Sequence, residues 1–487
     1  MVQRPNILWI FCDELRFDAL SCHGNPWAPV STPNIDRIAA AGVRFERFYV
    51  DSPVCVSSRY AQLTGATPGR TGVYHNDAMN LTEAIEPVVP FVNAFVDAGY
   101  TVADFGKAHV PFGLEAFPWN EAEGSDMMRE VNDFDDRVVA PYGGTLAATW
   151  PADVAYRPER LTDNVTRFLR EQVDGQPFFC RASYLQPHTP VAVPQPWSGR
   201  YDGHDWPVAI EQPPHLSAFE ARYGAECGMA TMTDEQVFAA RSRYHGLVSW
   251  LDDQVGRLLD TLETSGLAGN TTVVFGADHG AFLGELGGAM GKQLFSPPAH
   301  QVPFIVSRPG HLDDGAVDTT IAAGVDVAPT MLGLAGLDPV AEADGRDVFT
   351  DPAPDEVFSM IGYGHTDARA FSLVGWGSYV DERGWPQRAC IRTDRHRLDR
   401  NVRIDGAPVT DDDSDVFLAD SHADPDEVVN RAGDTETAEI RVDLEQRLDA
   451  HLADAVVVTD EQVAEARAAL LTMIVERREL QAMEGDQ

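Results

Sequence analysis

The sequence predicts an α/β fold: helices around a mostly parallel central sheet, followed by a smaller C-terminal α+β subdomain. Three observations predict it. Apolar runs rich in β-branched and aromatic residues are continuous rather than alternating, as in strands covered on both faces. Helical stretches separate these runs, as parallel pairing requires. Polar side chains able to do chemistry come directly after the runs, at the strand ends where ligands gather in such sheets.

Ile7 to Phe11 is the first apolar run. A helix over Asn34 to Ala41 follows, entered by Thr32-Pro33 and closed by Gly42, with proline at the start and glycine at the end. Further strands are expected at Val43 to Val50, Thr101 to Phe105 and Phe178 to Leu185. The long helix after Asp234 places Leu247, Leu251, Val255, Leu258 and Leu262 on one face, and strands at Thr271 to Phe275 and Pro303 to Val306 complete the set. Past Pro352 the texture changes to shorter strand-like pieces, Phe371 to Val374 and Arg388 to Thr393, with an acidic loop at Asp411 to Asp415 read as solvated. Two terminal helices are expected near Thr435 to Leu452 and Asp460 to Met483. The division is therefore 1–352 for the large domain and 353–487 for the small one.

Composition narrows the function. A chain of 487 residues with 44% hydrophobic content buries a large core. Its 37 basic against 76 acidic residues, a formal charge of -39, repel nucleic acid and anionic membranes. The apolar run near the N-terminus lacks the features of a signal peptide, no stretch is long enough to span a bilayer, and six scattered cysteines form no CxxC pair. A cytoplasmic protein without a disulfide framework is expected.

Only two of the 37 basic residues are lysines, Lys107 in Gly-Lys-Ala-His and Lys292 in Met-Gly-Lys-Gln. A chain that uses arginine almost everywhere should keep lysine where a compact, proton-yielding ammonium is needed. Other polar residues follow the strands: Asp13 and Glu14 the first, Lys107 and His109 the Thr101 run, His188 the Phe178 run, Asp278 and His279 the Thr271 run. Asp13, Asp278 and His279, with Glu14 as a further oxygen donor, suit a hard divalent cation, calcium first and manganese second. Cys55 opens a short helix, where a nucleophile would face an anion beside Arg59 at the positive helix end.

These segments together resemble the sulfatase family of the alkaline phosphatase superfamily. The likeness rests on Cys55-Val-Ser-Ser-Arg59 with Leu63-Thr-Gly65, Gly106-Lys-Ala-His109, Pro187-His-Thr-Pro190, Asp278-His-Gly280 and Gly291-Lys292, all in the family's order. It implies an alkaline-phosphatase-like sandwich and a metal-dependent sulfuric ester hydrolase of arylsulfatase-like type. It further implies that Cys55 is converted to formylglycine by a formylglycine-generating enzyme, and that its hydrated aldehyde attacks the sulfur of a small-molecule sulfate ester. Asp13, Glu14, Asp278 and His279 would hold the metal together with position 55. Arg59, Lys107 and Lys292 would neutralise the sulfate charge, Lys292 and His188 would protonate the leaving alcohol, and His109 would take a proton from the remaining hydroxyl. Asn76 resembles a polar substrate contact of part of the family.

Three positions depart from the pattern: Ser57 where proline or alanine is usual, Glu14 where a second aspartate is usual, and Leu286 where histidine is common. The stretch Asp13-Glu-Leu-Arg16 looks closer to the branch that includes phosphonate monoester hydrolases. A phosphodiesterase or phosphonate monoester hydrolase using the same site is therefore the alternative reading. Tryptophans in the insertions, Trp119, Trp150, Trp197 and Trp206, are candidates for an aromatic pocket wall.

Overall fold

Strand β1 (Asn6–Asp13) lies inside an eight-stranded sheet with every residue buried, which is why its sequence is apolar without alternation. The structure, a computed structural model, describes residues 4–24, 30–76, 88–111, 121–123, 148–153, 155–172, 176–189, 191–206, 216–226, 233–340, 343–364, 386–410, 413–459 and 461–462. In chain order the elements that matter are helix α1 (Pro33–Ala40), β2 (Gly42–Phe45), α2 (Cys55–Thr64), β3 (Thr101–Gly106), β4 (Glu121–Glu123), α3 (Glu159–Glu171) and β5 (Phe178–Pro187). They continue with α4 (Ala218–Glu226), α5 (Asp234–Thr264), β6 (Thr271–Ala277), β7 (Phe304–Ser307), β8 (Ala316–Asp318) and α6 (Val327–Ala335). The sheet order is β8-β2-β7-β6-β1-β5-β3-β4, and β7 alone runs antiparallel to its neighbours.

Register places the strand ends together. Cys12 pairs with Ala277 and Gly106 with Ser183, so Asp13, Asp278 and Lys107 leave the sheet along one edge. Backbone bonds extend the ladder past the strands, from Asp278 N to Cys12 O at 3.1 Å and from Lys107 N to Ser183 O at 2.9 Å. Gly106 allows this approach, because a Cβ there would lie 2.1 Å from Ser183 O and the residue has φ +101°.

A second, antiparallel sheet consists of β9 (Glu356–Ile361), β10 (Gln387–Thr393), β11 (His396–Ile404), β12 (Ala407–Pro408) and β13 (Phe417–Asp420), backed by helix α7 (Ala438–Leu452). Its core includes Met360, Ile391, Leu398, Leu418, Leu444 and Leu448. Helix α2 is wedged between the two cores. Leu63 packs into the main one while Val56 and Tyr60 join the second, and all ten α2 residues are buried.

Most expected elements are present. The five residues predicted to line one face of the long helix are buried in the main core. Differences have local causes. The Val43 to Val50 run is broken into β2 and a two-residue strand, Phe48–Tyr49. Gly42 does not cap α1, which ends at Ala40 with Ala41 as its C-cap; it starts β2, where a Cβ would meet Val306 O at 2.1 Å. Asp415, at the end of the acidic loop, is no solvated charge: it accepts from Ala218 N and Phe219 N at 2.8 Å each and pairs with Arg388 at 3.1 Å. Phe371 to Val374 and all but the first residues of the Asp460 to Met483 helix lie outside the described residues. No helix among the described residues is long and apolar enough to cross a membrane. The five described cysteines are free.

Candidate active site

Helix α2 starts at Cys55 and aims its side chain into the groove at the sheet edge. Extended backbone at Val54 turns the chain into the helix, and left-handed Gly65 ends it. Cys55 is 1% exposed. Its Sγ lies 2.9 Å from Lys292 Nζ, 3.2 Å from His279 Nε2 and 3.8 Å from Asp13 Oδ1. Four segments far apart in sequence thus meet at one sulfur atom.

Asp13, Cys55, Asp278 and His279 each offer one donor atom, and all four lie within 4.8 Å of one another. This donor set fits a divalent cation with mainly oxygen and imidazole ligands. Beneath it Arg59, fully buried, donates from Nε to Asp278 Oδ2 at 2.7 Å and from Nη2 to Asp13 Oδ2 at 2.9 Å. Its Nη1 is bonded to Lys107 O at 2.9 Å and Ser183 Oγ at 3.0 Å. The guanidinium is therefore committed to aligning the carboxylates. The two lysine ammonium groups lie on the other side of the same cluster. Lys107 Nζ bonds Asp13 Oδ2 and Lys292 Nζ bonds the sulfur directly.

Glu14 and Asp13 diverge although adjacent. Glu14 has φ +60°, a conformation clamped by Tyr244, whose hydroxyl donates to Glu14 O at 2.6 Å and accepts from Arg16 N at 3.0 Å. The Glu14 carboxylate pairs with Lys292 Nζ at 2.7 Å and lies 3.5 Å from His188 Nε2. It groups with Asp13 and His188 rather than with the four donors around Cys55. Glu14, expected as a metal ligand, thus also pairs with Lys292, and Lys292 Nζ reaches His188 Nε2 at 3.1 Å.

The charges shape one another. Burial pushes the Cys55 thiol up, but Lys107, Lys292 and His279, with a hydrogen bond from His109, outweigh it and hold it well below an ordinary thiol. Burial also opposes charge on Asp13, yet Lys107, His188 and Arg59 hold its carboxyl far below the usual range. Asp278, buried and facing the Asp13 charge, is pushed up to about 6. Burial and the Lys107 charge lower His109 to about 4, so its imidazole is neutral at pH 7 and free to accept a proton. Burial would strip Lys292 of its proton, but Cys55, Glu14 and Asp13 hold it on.

Asn76 is beside the site: its Oδ1 accepts from Val56 N at 3.0 Å and so satisfies a free donor of the α2 N-terminus. The described tryptophans of the insertions pack against other side chains. Trp150 packs edge-on against Tyr156, Trp206 stacks on His245 and donates to Ser242 Oγ, and Trp197 lies against the main core; Trp119 lies outside the described residues. Leu286 belongs to an apolar cluster with Phe219, Tyr223 and Leu294. Sequence reasoning missed Ser183, Tyr244, His75 and Gln293. Gln293 Nε2 is 3.0 Å from His75 Nε2 beside the nucleophile loop, and its place next to Lys292 was the one available signal.

Comparison with known proteins agrees with this geometry. The family model described as Sulfatase matches residues 5–337. An arylsulfatase of Clostridium perfringens is 26% identical over 369 residues, 68% of this chain and 75% of that protein. Two solved structures superpose at TM-score 0.72: BT4656 in complex with its substrate D-glucosamine-2-N,6-O-disulfate, 20% identical, and the phosphonate monoester hydrolase of Agrobacterium radiobacter, 22% identical. The first alignment covers 93% of this chain and 98% of that one, the second 92% and 96%, and the fold is alkaline-phosphatase-like. With two thirds of its length matched by the family model and the motif residues gathered at one sheet edge, the chain belongs to the sulfatase family of sulfuric ester hydrolases.

Proposed function

We propose that the protein is a metal-dependent sulfatase whose nucleophile is a formylglycine made from Cys55, acting in the cytoplasm on a small-molecule sulfate ester. The observation that supports this reading best is the placement of Cys55 Sγ against Lys292, His279 and Asp13 at once. The catalytic domain in this reading is 1–352, with 353–487 as the accessory subdomain. A calcium ion, or manganese, would be held by Asp13, Asp278, His279 and the oxygen of position 55; Glu14, ion-paired with Lys292, would tune the acid instead.

The cation, when bound, supplies Lewis-acid polarisation of a sulfate oxygen. Maturation by a formylglycine-generating enzyme would give position 55 a gem-diol oxygen as the nucleophile. The rest falls to the chain's own side chains. Arg59 keeps the Asp13 and Asp278 carboxylates aligned, so little reorganisation accompanies charge development. Lys107 and Lys292 neutralise the sulfate oxygens. Lys292, with His188 beside it, holds a proton for the ester oxygen as the S–O bond breaks, which lets the alcohol leave neutral. His109, neutral and in contact with position 55, then accepts the proton of the remaining hydroxyl so that sulfate is expelled.

A second reading keeps the site and changes the ester. Glu14 beside Asp13 in place of an aspartate pair favours it, since a phosphonate monoester matches a sulfate monoester in shape and single negative charge. Paired assays on 4-nitrophenyl sulfate and 4-nitrophenyl phenylphosphonate decide between the two. Higher kcat/KM on the sulfate is expected, and a clear preference for phosphorus overturns the first reading. Mass spectrometry of the peptide bearing Cys55 should show sulfur lost and a carbonyl gained; an intact thiol in active enzyme removes the formylglycine despite leaving the fold untouched.

A further inference from the structure

Lys292 sits on a short segment with little regular structure of its own, and the sequence next to it is strained. Gln293 has φ +89°, a region that side-chain-bearing residues rarely adopt. Such backbone persists only where its surroundings over-determine it. The surroundings here are specific. Gln293 N donates to Pro53 O at 3.0 Å, which ties the segment to the loop before Cys55. On the other side Tyr223, from α4, donates its hydroxyl to Met290 O at 3.1 Å and also contacts Lys292 O. Three residues further on, Arg392 Nη2 bonds Phe295 O at 3.0 Å and Arg397 Nη1 bonds Ser296 Oγ at 3.0 Å.

Those two arginines belong to the second sheet, and the same ion network holds α4. Arg397 Nη2 pairs with Glu220 Oε1 at 3.0 Å, while Glu427 joins Arg397 at 3.1 Å and also pairs with Arg392. All four residues are at most 2% exposed, so removing one member leaves its partner buried without a counter-charge. Leu286 and Leu294 pack against Phe219 and Tyr223, sealing the same interface with apolar contacts.

We propose that Tyr223, braced through Glu220 and Arg397 by the second sheet, is a positioning residue that sets the reach of the Lys292 ammonium toward the leaving oxygen. This rests on the reading of Lys292 as the general acid. The brace acts on the carbonyl of Lys292 and on the chain just beyond it. Its loss leaves the cation donors Asp13, Asp278 and His279 in place but lets the ammonium drift. A drift of this kind weakens proton delivery selectively. Esters whose alcohol needs a proton to depart should suffer, and esters of acidic phenols should be nearly indifferent.

The test uses the mature, cation-loaded full chain and compares phenyl sulfate with 4-nitrophenyl sulfate for wild type, Tyr223→Phe, Lys292→Arg and the double variant. Tyr223→Phe should lower kcat on phenyl sulfate by about tenfold with KM unchanged, as expected for losing transition-state contact alone, while turnover of the nitrophenyl ester falls far less. Added to Lys292→Arg, it should cost nothing further. Glu220→Gln should reproduce the pattern, which guards against a folding defect peculiar to one variant. Equal losses on both esters, an additive double variant, or no effect at all overturn the brace. If Lys292→Arg alone turns over phenyl sulfate at the wild-type rate, the assignment of the acid fails first, and the proposal with it.

Discussion

Arg59→Lys tests whether the guanidinium is the frame of the site. The substitution keeps the positive charge and removes the fork. In the structure Arg59 makes four hydrogen bonds, two to carboxylates at 2.7 and 2.9 Å and two to neutral acceptors at 2.9 and 3.0 Å. A lysine ammonium on the same Cα can satisfy one carboxylate but cannot span both. One charge-assisted bond, worth about 1.5–3 kcal/mol, and two neutral ones of about 1 kcal/mol each are then lost. The sum is roughly 3.5–5 kcal/mol, in the range found when a buried pair loses a partner. Lys107 still faces Asp13 and His279 still lies 3.6 Å from Asp278, so the site should loosen without collapsing. Urea unfolding followed by tryptophan fluorescence should show the midpoint falling with the slope unchanged. Calorimetric titration with calcium should show affinity weaker by about 10–100-fold, as for other residues that orient ligands. A variant within about 1 kcal/mol of wild type that binds cation equally well would refute the idea that Arg59 aligns the carboxylates.

Two further predictions concern the cation and a buried carboxyl. Chelation with EDTA should abolish turnover and lower stability by about 2.7 kcal/mol relative to protein held at 100 times the dissociation constant, with calcium or manganese restoring both; activity that survives exhaustive chelation would contradict the donor cluster around Cys55. Asp252, on α5, caps the first turn of α1 by accepting from Asn34 N at 3.0 Å and Ile35 N at 2.8 Å. Burial pushes its carboxyl up to about 6 against those hydrogen bonds. A folded-state value above the unfolded one means the native protein binds the extra proton, so this contribution is complete below about pH 4 and is lost as pH rises through about 6. Wild type should therefore lose on the order of 2 kcal/mol relative to Asp252→Asn between those limits; parallel stability curves for the two proteins would show the carboxyl to be ionised throughout.

Much of the fold was legible because parallel strands buried on both faces need near-continuous apolar sequence, and the runs at Ile7, Thr101, Phe178 and Thr271 became β1, β3, β5 and β6. Strand-end chemistry was legible for the same reason. Both lysines, conspicuous only by scarcity, lie within one cluster. What stayed hidden depends on contacts across the chain. Gly42 looks like a helix stop and is a strand residue whose missing side chain admits Val306 O. Asn76, expected as a substrate contact, also accepts from Val56 N in the first turn of α2, a bond between residues 20 apart that no local pattern announces. The four hydrogen bonds of Arg59 tie together residues from four separate segments, which its place in the motif does not announce. The brace formed by Tyr223, Arg392 and Arg397 has no sequence signature, since Tyr223 precedes the two arginines by 169 and 174 residues and meets their network only when the second sheet docks.

The seating of α2 between two cores has a consequence for how activity should disappear under stress. A ten-residue helix with every side chain enclosed has no solvated face and too little length to persist alone. It owes its shape to walls contributed by both sheets. Parting those sheets, even with each otherwise intact, would release the first turn of the helix and with it the alignment of Cys55. Inactivation should therefore track separation of the two halves rather than melting of either one.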